Sequence, residues 1–85
     1  MAYFKEVTEK VIIVNGAKIK ELRIKEGLIL DDLAKSVGTT ATMINQVENG
    51  GKQPSVSLLK RIADYFNLTT DELITEINVF GSVKS

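Results

Sequence analysis

The chain has 85 residues, 44% of them apolar, which suits one domain with a modest core and is too hydrophobic for a disordered tail. It contains neither cysteine nor histidine, which excludes disulfides, thiolate or imidazole metal sites and the commonest general base. We therefore expect no metal, no cofactor and no enzymatic activity. Its 11 basic residues balance 11 acidic ones, unlike the basic excess of a typical nucleic-acid-binding domain.

The sequence shows no sign of a targeting or membrane-anchoring segment. The N-terminal region carries Glu6 and Glu9 and lacks the apolar core of a signal peptide. No run approaches the ~18 apolar residues of a membrane span. Because the absence of cysteine fits a reducing compartment, we expect a cytoplasmic protein.

Three parts are predicted along the chain: an N-terminal extension at 1–14, a helical domain at 15–77 and a C-terminal extension at 78–85. The first part ends in Val-Ile-Ile-Val at 11–14, which favours a strand that Tyr3 and Phe4 could extend. The last part allows a short strand around three apolar residues, Val79, Phe80 and Val83. The two strands are expected to pair with each other or with a second subunit, because a lone strand leaves its backbone unpaired. The alternative is that both ends fray.

The helical domain is predicted to contain five helices, of which the first three are short and separated by tight turns. The first runs from about Gly16 to Glu26, and its start allows Asn15 to act either as an N-cap or as part of a turn. The second covers about 30–36 and is ended by a glycine. The third covers about 41–48, with Thr40 as its N-cap.

The fourth helix is predicted to open at Pro54-Ser55, with an apolar stripe at helical spacing: Val56, Leu59, Ile62, Ala63 and Phe66. Leu58 and Tyr65 lie outside that stripe and are expected on the surface, where they could contact a second subunit. The fifth helix is predicted from Thr69, where Thr-Thr-Asp-Glu fits a capping box. Its predicted buried face consists of Leu73, Ile74 and Ile77.

The second and third helices form the most informative pattern in the sequence. Gly38 permits the positive φ that a sharp chain reversal between them requires, and Ala34 is small where they would cross. Val37, Ile44 and Val47 are placed to hold the third helix at a fixed angle to the second. This is a helix-turn-helix arrangement, and it would present the solvent face of 41–46 as a rigid ridge that fits the DNA major groove.

On these residues, the segment 16–74 resembles the phage-repressor-like helix-turn-helix family, also called the Xre or lambda-repressor type. The matching pieces stand in the family's order and spacing: Ile19-Lys20-Glu21-Leu22-Arg23, Leu33-Ala34, Val37-Gly38, Ile44, Glu48-Asn49-Gly50, Pro54-Ser55, Leu59, Ile62-Ala63 and Leu73. The resemblance implies an all-α fold with five helices, usually dimeric. Members of the family regulate transcription or serve as DNA-binding antitoxins and restriction controllers.

The resemblance also implies roles for individual residues. The base-reading positions are Ala41, Thr42, Asn45 and Gln46. The positions that contact phosphates are Thr40, Asn49, Lys52 and Gln53. Arg23 and Glu48 match a pair that usually forms a salt bridge between the first and third helices. For Asn45 and Gln46 the alternative is that they are simply exposed polar residues.

The chain departs from the family pattern where the second helix begins and where the third helix begins. Ile29 stands at a position that usually holds a capping Ser, Thr or Asn, a loss of about 1 kcal/mol. Leu30 replaces a glutamine that usually contacts a phosphate. Ala41 replaces a longer polar reader and offers only apolar contact, for instance to a thymine methyl. Because residues 16–77 hold eight basic and nine acidic residues, the electrostatic attraction to DNA is expected to be weak.

The leading prediction is a mainly α domain with a minor β addition, which binds double-stranded DNA sequence-specifically as a homodimer and regulates transcription. The alternative is a protein-interaction module, such as an antirepressor or an antitoxin. Balanced charge, Ile29, Leu30 and the apolar ends favour this alternative, whereas the polar groups at 42–46 oppose it. A third hypothesis is that the chain is a fragment of a longer protein.

Overall fold

The computed structural model describes the backbone of residues 7–81 and the side chains of 12–75. Within residues 7–81, four α-helices and one 3-10 helix lie between two strands that form an antiparallel sheet. In chain order, the elements are β1 (Val7–Val14), α1 (Gly16–Lys25), α2 (Leu30–Val37), α3 (Ala41–Glu48), α4 (Val56–Tyr65), the 3-10 helix (Thr70–Leu73) and β2 (Ile74–Gly81). Within these described residues no helix is both long and apolar enough to cross a membrane. The strand contributions predicted for Tyr3, Phe4 and Val83 lie outside the described residues.

The core is built from the apolar faces of all four α-helices and the 3-10 helix. Its buried members are Ile19, Leu33, Ala34, Val37, Ile44, Val47, Leu58, Ile62, Ala63 and Leu73. Burying one large aliphatic side chain contributes about 1.5–3 kcal/mol. Helices of eight residues such as α2 and α3 are too short to be stable alone, so this packing is what maintains them.

Side chains and glycines terminate the helices largely as the sequence predicts. The Asn15 side chain accepts a hydrogen bond from the backbone N–H of Lys18 at 3.1 Å, so Asn15 is the N-cap of α1. Thr40 caps α3 in the same way through the N–H of Met43, also at 3.1 Å. Gly38 ends α2 with a φ of 72°, a left-handed conformation that glycine adopts without strain.

The buried face of α4 differs from the predicted stripe. Leu58, expected on the surface, is only 4% exposed and belongs to the core. Val56, expected in the core, is 83% exposed. The helix begins at Val56, directly after its N-cap Ser55, so Val56 lies in the first turn and projects past the edge of the core. Leu58 therefore cannot contribute to a subunit interface, whereas Tyr65 remains partly exposed.

The predicted fifth α-helix is wrong, because residues 70–81 form a 3-10 turn followed by a strand. The Glu72 carboxylate accepts the N–H of Thr69 at 2.8 Å, which is half of the predicted capping box. Ile74 and Ile77, expected on a buried helical face, lie in β2. β-branched residues fit an extended backbone well, and β1 supplies the hydrogen-bonding partner that local sequence does not reveal.

β1 and β2 pair antiparallel over eight residues each, from Val14 opposite Ile74 to Val7 opposite Gly81. The backbone N–H of Asn15 donates to Leu73 O at 2.7 Å, so the neighbouring Val14–Ile74 pair is not hydrogen-bonded. Antiparallel pairs alternate between bonded and non-bonded positions. The backbone N–H groups of Ile12 and Asn78 therefore point away from the paired strand, toward the two outer edges of the sheet.

Candidate nucleic-acid interface

Gly38 sets the path of the chain from α2 into α3. Its left-handed conformation lets Thr39 N–H donate to Ala34 O at 2.9 Å, which turns the chain back across the end of α2. Ala34 is 1% exposed, so the two helices approach closely at this residue. Ile44 and Val47 are buried on the inner side of α3. The result is the helix-turn-helix geometry, in which only the outer side of α3 remains in solvent.

An ion pair between Arg23 on α1 and Glu48 at the end of α3 fixes the opposite end of α3. Arg23 Nε donates to Glu48 Oε2 at 2.8 Å, and Nη2 donates to Oε1 at 3.1 Å. The side chains are 12% and 2% exposed, respectively. Nη1 also donates to the carbonyl of Leu28 at 2.8 Å, in the turn before α2. The two hydrogen bonds to Glu48 fix the orientation of the guanidinium group relative to the carboxylate. Together with the bond to Leu28, they connect α1, the turn that follows it and α3.

The first residue of α1 packs directly against the last turn of α3. A Cβ atom on Gly16 would meet the carbonyl oxygen of Val47 and would lie 2.7 Å from that of Glu48. Only glycine permits this approach of two backbones. The position of α3 is thus determined at its start by α2 and at its end by α1.

The predicted base-reading residues lie together on α3. Thr42, Asn45 and Gln46 are exposed, whereas Ala41 is half-buried. Residues three and four apart share one face of a helix, so Thr42 lies above Asn45 and Gln46. These side chains carry hydroxyl and amide groups and no formal charge.

The loop after α3 is hydrogen-bonded back to the same helix. The backbone N–H groups of Gly51 and Lys52 donate to Gln46 O at 2.9 and 3.3 Å. The Asn49 side chain donates from Nδ2 to Asn45 Oδ1 at 3.0 Å. These bonds hold the backbone of Gly51 and Lys52 and the side chain of Asn49 against the last turns of α3.

The residues predicted to contact phosphates are divided between the two ends of α3. Thr40 precedes the helix, and its hydroxyl is already engaged as the N-cap acceptor. Asn49, Lys52 and Gln53 follow the helix and are exposed. Gln53 Oε1 accepts the N–H of Val14 at 3.0 Å, which connects this loop to the base of the sheet. Sequence reasoning missed this contact, since nothing local links residues 39 positions apart.

The start of α2 is apolar and acidic. Ile29 is 62% exposed and has no side-chain acceptor, so the predicted loss of the N-cap stands. Asp32 partly compensates, because its carboxylate accepts the N–H of Ile29 at 3.1 Å. Asp31 forms an exposed ion pair with Lys35 at 3.2 Å. A helix start that carries carboxylates is a poor place for a phosphate.

Comparison with known proteins agrees with this geometry. Residues 19–73 match the family model described as helix-turn-helix. The chain belongs to the helix-turn-helix family, of the Xre type. The relatives that it matches include HTH-type transcriptional regulators of a bacterium and an archaeon and a control region protein of a Bacillus phage.

Two relatives of this helix-turn-helix chain illustrate the range of the family. The ImmF control region 10 kDa protein of Bacillus phage phi105 is 40% identical over 65 residues, which cover 75% of this chain and 72% of the relative. An HTH-type transcriptional regulator of Archaeoglobus fulgidus is 38% identical over 56 residues, 66% of this chain and 80% of the relative. Among solved structures, the P22 c2 repressor protein in complex with a synthetic operator superposes with a TM-score of 0.65 at 24% identity. That match covers 68% of this chain and 88% of the repressor, and it shows a shared fold.

Proposed function

We propose that this helix-turn-helix chain is a transcriptional regulator that binds double-stranded DNA sequence-specifically by inserting α3 into the major groove. One observation supports this most directly: α3 is held rigidly at both ends and exposes Thr42, Asn45 and Gln46 together. The major groove admits an α-helix and displays a distinct set of donors and acceptors for each base pair. A ridge of uncharged hydrogen-bonding groups suits reading those base edges.

The roles of the residues follow from their chemistry. The Gln46 amide can both donate and accept, which suits adenine N7 and N6, and half-buried Ala41 offers a methyl group to thymine. Asn49, Lys52 and Gln53 stand where a phosphate would pass the end of α3. The Thr40 oxygen accepts the N–H of Met43, which leaves the hydroxyl hydrogen to donate to a phosphate at the start of α3 beside the backbone N–H groups there.

The weak positive charge of this surface predicts modest affinity for random DNA. Lys52 is the one cation among the residues assigned here to DNA contact. Each phosphate neutralised by a protein cation contributes about 0.9 to the slope of log affinity against log salt. The expected slope for one protomer is therefore shallow, and base contacts supply a large share of the binding free energy.

Selection of DNA sequences by the purified chain, at low and moderate salt, tests the proposal. Gln46→Ala should weaken binding by about 1–3 kcal/mol at one base position and relax the preference there. Lys52→Ala should weaken binding to all sequences and reduce the salt slope by about one. Lys60→Ala, which changes an exposed lysine on α4, serves as the control and should alter neither property. If the selection enriches no DNA sequence at low salt, sequence-specific DNA binding is not the function.

A homodimer is the assembly that we propose for DNA binding. A two-fold pair would place two α3 helices about one DNA turn, roughly 34 Å, apart on a palindromic site. The sheet supplies a candidate contact, because within residues 7–81 no further strand pairs with the outer edge of β1 or β2, although Gln53 already accepts the N–H of Val14 at the base of β1.

Sedimentation velocity up to high micromolar concentration tests the dimer. Deleting residues 1–14 should weaken association if β1 is shared. Ile12→Pro with Asn78→Pro is the sharper variant, because both N–H groups point to the outer edges of the sheet and their loss spares the hydrogen bonds between β1 and β2. Ile13→Pro, which removes a bond within the sheet, is the contrasting control. A monomer at all concentrations, with or without a palindromic site, would exclude the dimer.

A protein-interaction module is the second candidate, and exposed apolar side chains favour it. Ile24 near the end of α1 is 58% exposed, and Ile29 before α2 is 62% exposed. Large exposed aliphatic residues can mark a site for a protein partner. Should Gln46→Ala and Lys52→Ala leave DNA affinity unchanged and instead abolish binding to a partner protein, this second function replaces the first.

A further inference from the structure

On the exposed face of α3, a side-chain hydrogen bond joins Asn45 to Asn49 and orients the Asn45 amide. Asn49 is the C-cap of α3, and its backbone N–H still donates to Asn45 O at 3.1 Å. One turn separates the two residues, so their side chains lie on the same side of the helix. The side-chain bond runs from Asn49 Nδ2 to Asn45 Oδ1 over 3.0 Å.

The end of the helix favours this direction of the bond. The last carbonyls of a helix carry partial negative charge. An amide at the C-cap is therefore most stable when its NH2 group, and not its oxygen, faces back toward the last turn. Asn49 acts as the donor for this reason, and Asn45 Oδ1 becomes the acceptor.

An asparagine whose oxygen is engaged in this way presents its NH2 group to the outside. The bidentate pairing of asparagine with adenine needs the oxygen to accept from N6 while the nitrogen donates to N7. Here the nitrogen is free to donate, whereas the oxygen is turned toward Asn49, from which it accepts one of its two possible hydrogen bonds. Asn45 is thus directed toward acceptor groups, such as O6 and N7 of guanine or O4 of thymine.

We propose that Asn49 is a positioning residue that orients the Asn45 amide, so that Asn45 selects base edges presenting acceptors. This inference rests on the proposed DNA-reading function and names which base edges one residue reads. Within the described residues, the Gln46 amide has no comparable partner, so Gln46 can adopt either orientation. The two neighbouring amides on α3 therefore have different specificities.

The test compares base preferences of Asn49 variants at the position that depends on Asn45. That position is identified first, as the one at which Asn45→Ala removes the preference of the wild-type chain. The wild type should prefer guanine or thymine there. Asn49→Ala, which frees the amide, should reduce the preference by about twofold to tenfold, the range of one net hydrogen bond.

Asn49→Asp gives the sharpest expectation. A carboxylate can only accept, so the Asn45 amide should turn its NH2 group inward and present its oxygen to the groove. The preference should then move toward cytosine, which offers N4, or adenine, which offers N6. Gln53→Glu places the same charge in the same loop and should weaken binding to all DNA sequences equally. The shift must vanish when Asn45→Ala is added, which excludes direct base reading by the carboxylate that Asn49→Asp introduces.

Nuclear magnetic resonance of the free protein supplies a measurement that needs no DNA. The side-chain NH2 group of Asn45 should be ordered in the wild type and become mobile on the nanosecond timescale in Asn49→Ala. An unchanged order parameter overturns the proposal whether or not DNA binds. So does a chain that selects DNA through Asn45 but keeps its base preference in both Asn49 variants. Failure of the proposed function looks different, since no sequence is then enriched at all.

Discussion

Arg23 joins three separate parts of the chain through one guanidinium group. It contacts Glu48 at the end of α3 and the carbonyl of Leu28 in the turn before α2. The Glu48 side chain is 2% exposed, so its charge depends on this partner for compensation. Burying an ion without a partner costs far more than a well-formed pair returns.

Arg23→Ala should therefore destabilise the fold strongly. Removing one member of a buried pair costs about 3–5 kcal/mol, and some access of solvent to Arg23 places the expected loss toward the lower end. Thermal or urea unfolding monitored by circular dichroism measures it. Lys35→Ala breaks the exposed pair with Asp31 and should change stability by less than about 0.5 kcal/mol. Equal melts for Arg23→Ala and the wild type would contradict a structural role for the pair.

Individual residues also show which contacts could be predicted from the sequence and which could not. The pairing of Arg23 with Glu48 is expected from family resemblance, and nothing in the local pattern would supply it. The Gln53–Val14 bond has no such precedent and was missed. Leu58 was expected on the surface and is buried, whereas Val56 was expected in the core and is exposed. Apolar spacing alone does not say where a helix meets the edge of the core.

At the scale of elements, α2 is the helix with the weakest start. Its N-cap position holds Ile29, and only the Asp32 carboxylate satisfies part of the first turn. Short helices depend on their caps more than long ones, because each unpaired N–H is a larger share of the total. This start also lies next to the turn that Arg23 holds.

Ile29→Ser should stabilise the protein by completing a reciprocal capping box. The new hydroxyl can accept the N–H of Asp32 while the Asp32 carboxylate keeps accepting the N–H of residue 29. The expected gain is about 1 kcal/mol, which raises the melting temperature by about 4–8 °C for a domain of this size. Ile24→Ser, at a similarly exposed isoleucine within α1, is the matched control and should give no gain. A melting temperature no higher than that of the control would refute the capping argument.

The first four helices were predictable as elements, whereas the fifth was not. Caps and glycines at Asn15, Gly38 and Thr40 act locally, so a single sequence reveals them. The region after Thr69 combines a genuine capping signal with β-branched residues, and the two favour different structures. Pairing with β1 decides the outcome, and that partner lies far away in the sequence.

At the scale of the whole molecule, the sheet and the proposed DNA-reading surface are connected. Gln53 belongs to the loop after α3 and also accepts the N–H of Val14 at the base of β1. The helical core explains why α3 is rigid, and its main residues followed from hydrophobic spacing. The relation of the sheet to the loop could not be predicted, because it depends on the register of two strands at opposite ends of the chain.

The pairing of β1 with β2 also brings the two ends of the described chain side by side. Lys10 lies opposite Asn78 at a non-hydrogen-bonded position, where Cα atoms stand about 4.5 Å apart, within the range that a disulfide can bridge. Since the chain has no cysteine of its own, Lys10→Cys with Asn78→Cys would form a single cross-link that encloses all the helices described above. Restricting so long a loop in the unfolded chain should stabilise the fold by up to about 4 kcal/mol. Oxidation should then raise the melting temperature, and a reductant should reverse the rise. Each single variant should respond to neither treatment. Failure of the two thiols to form a disulfide would mean that the strands pair in another register.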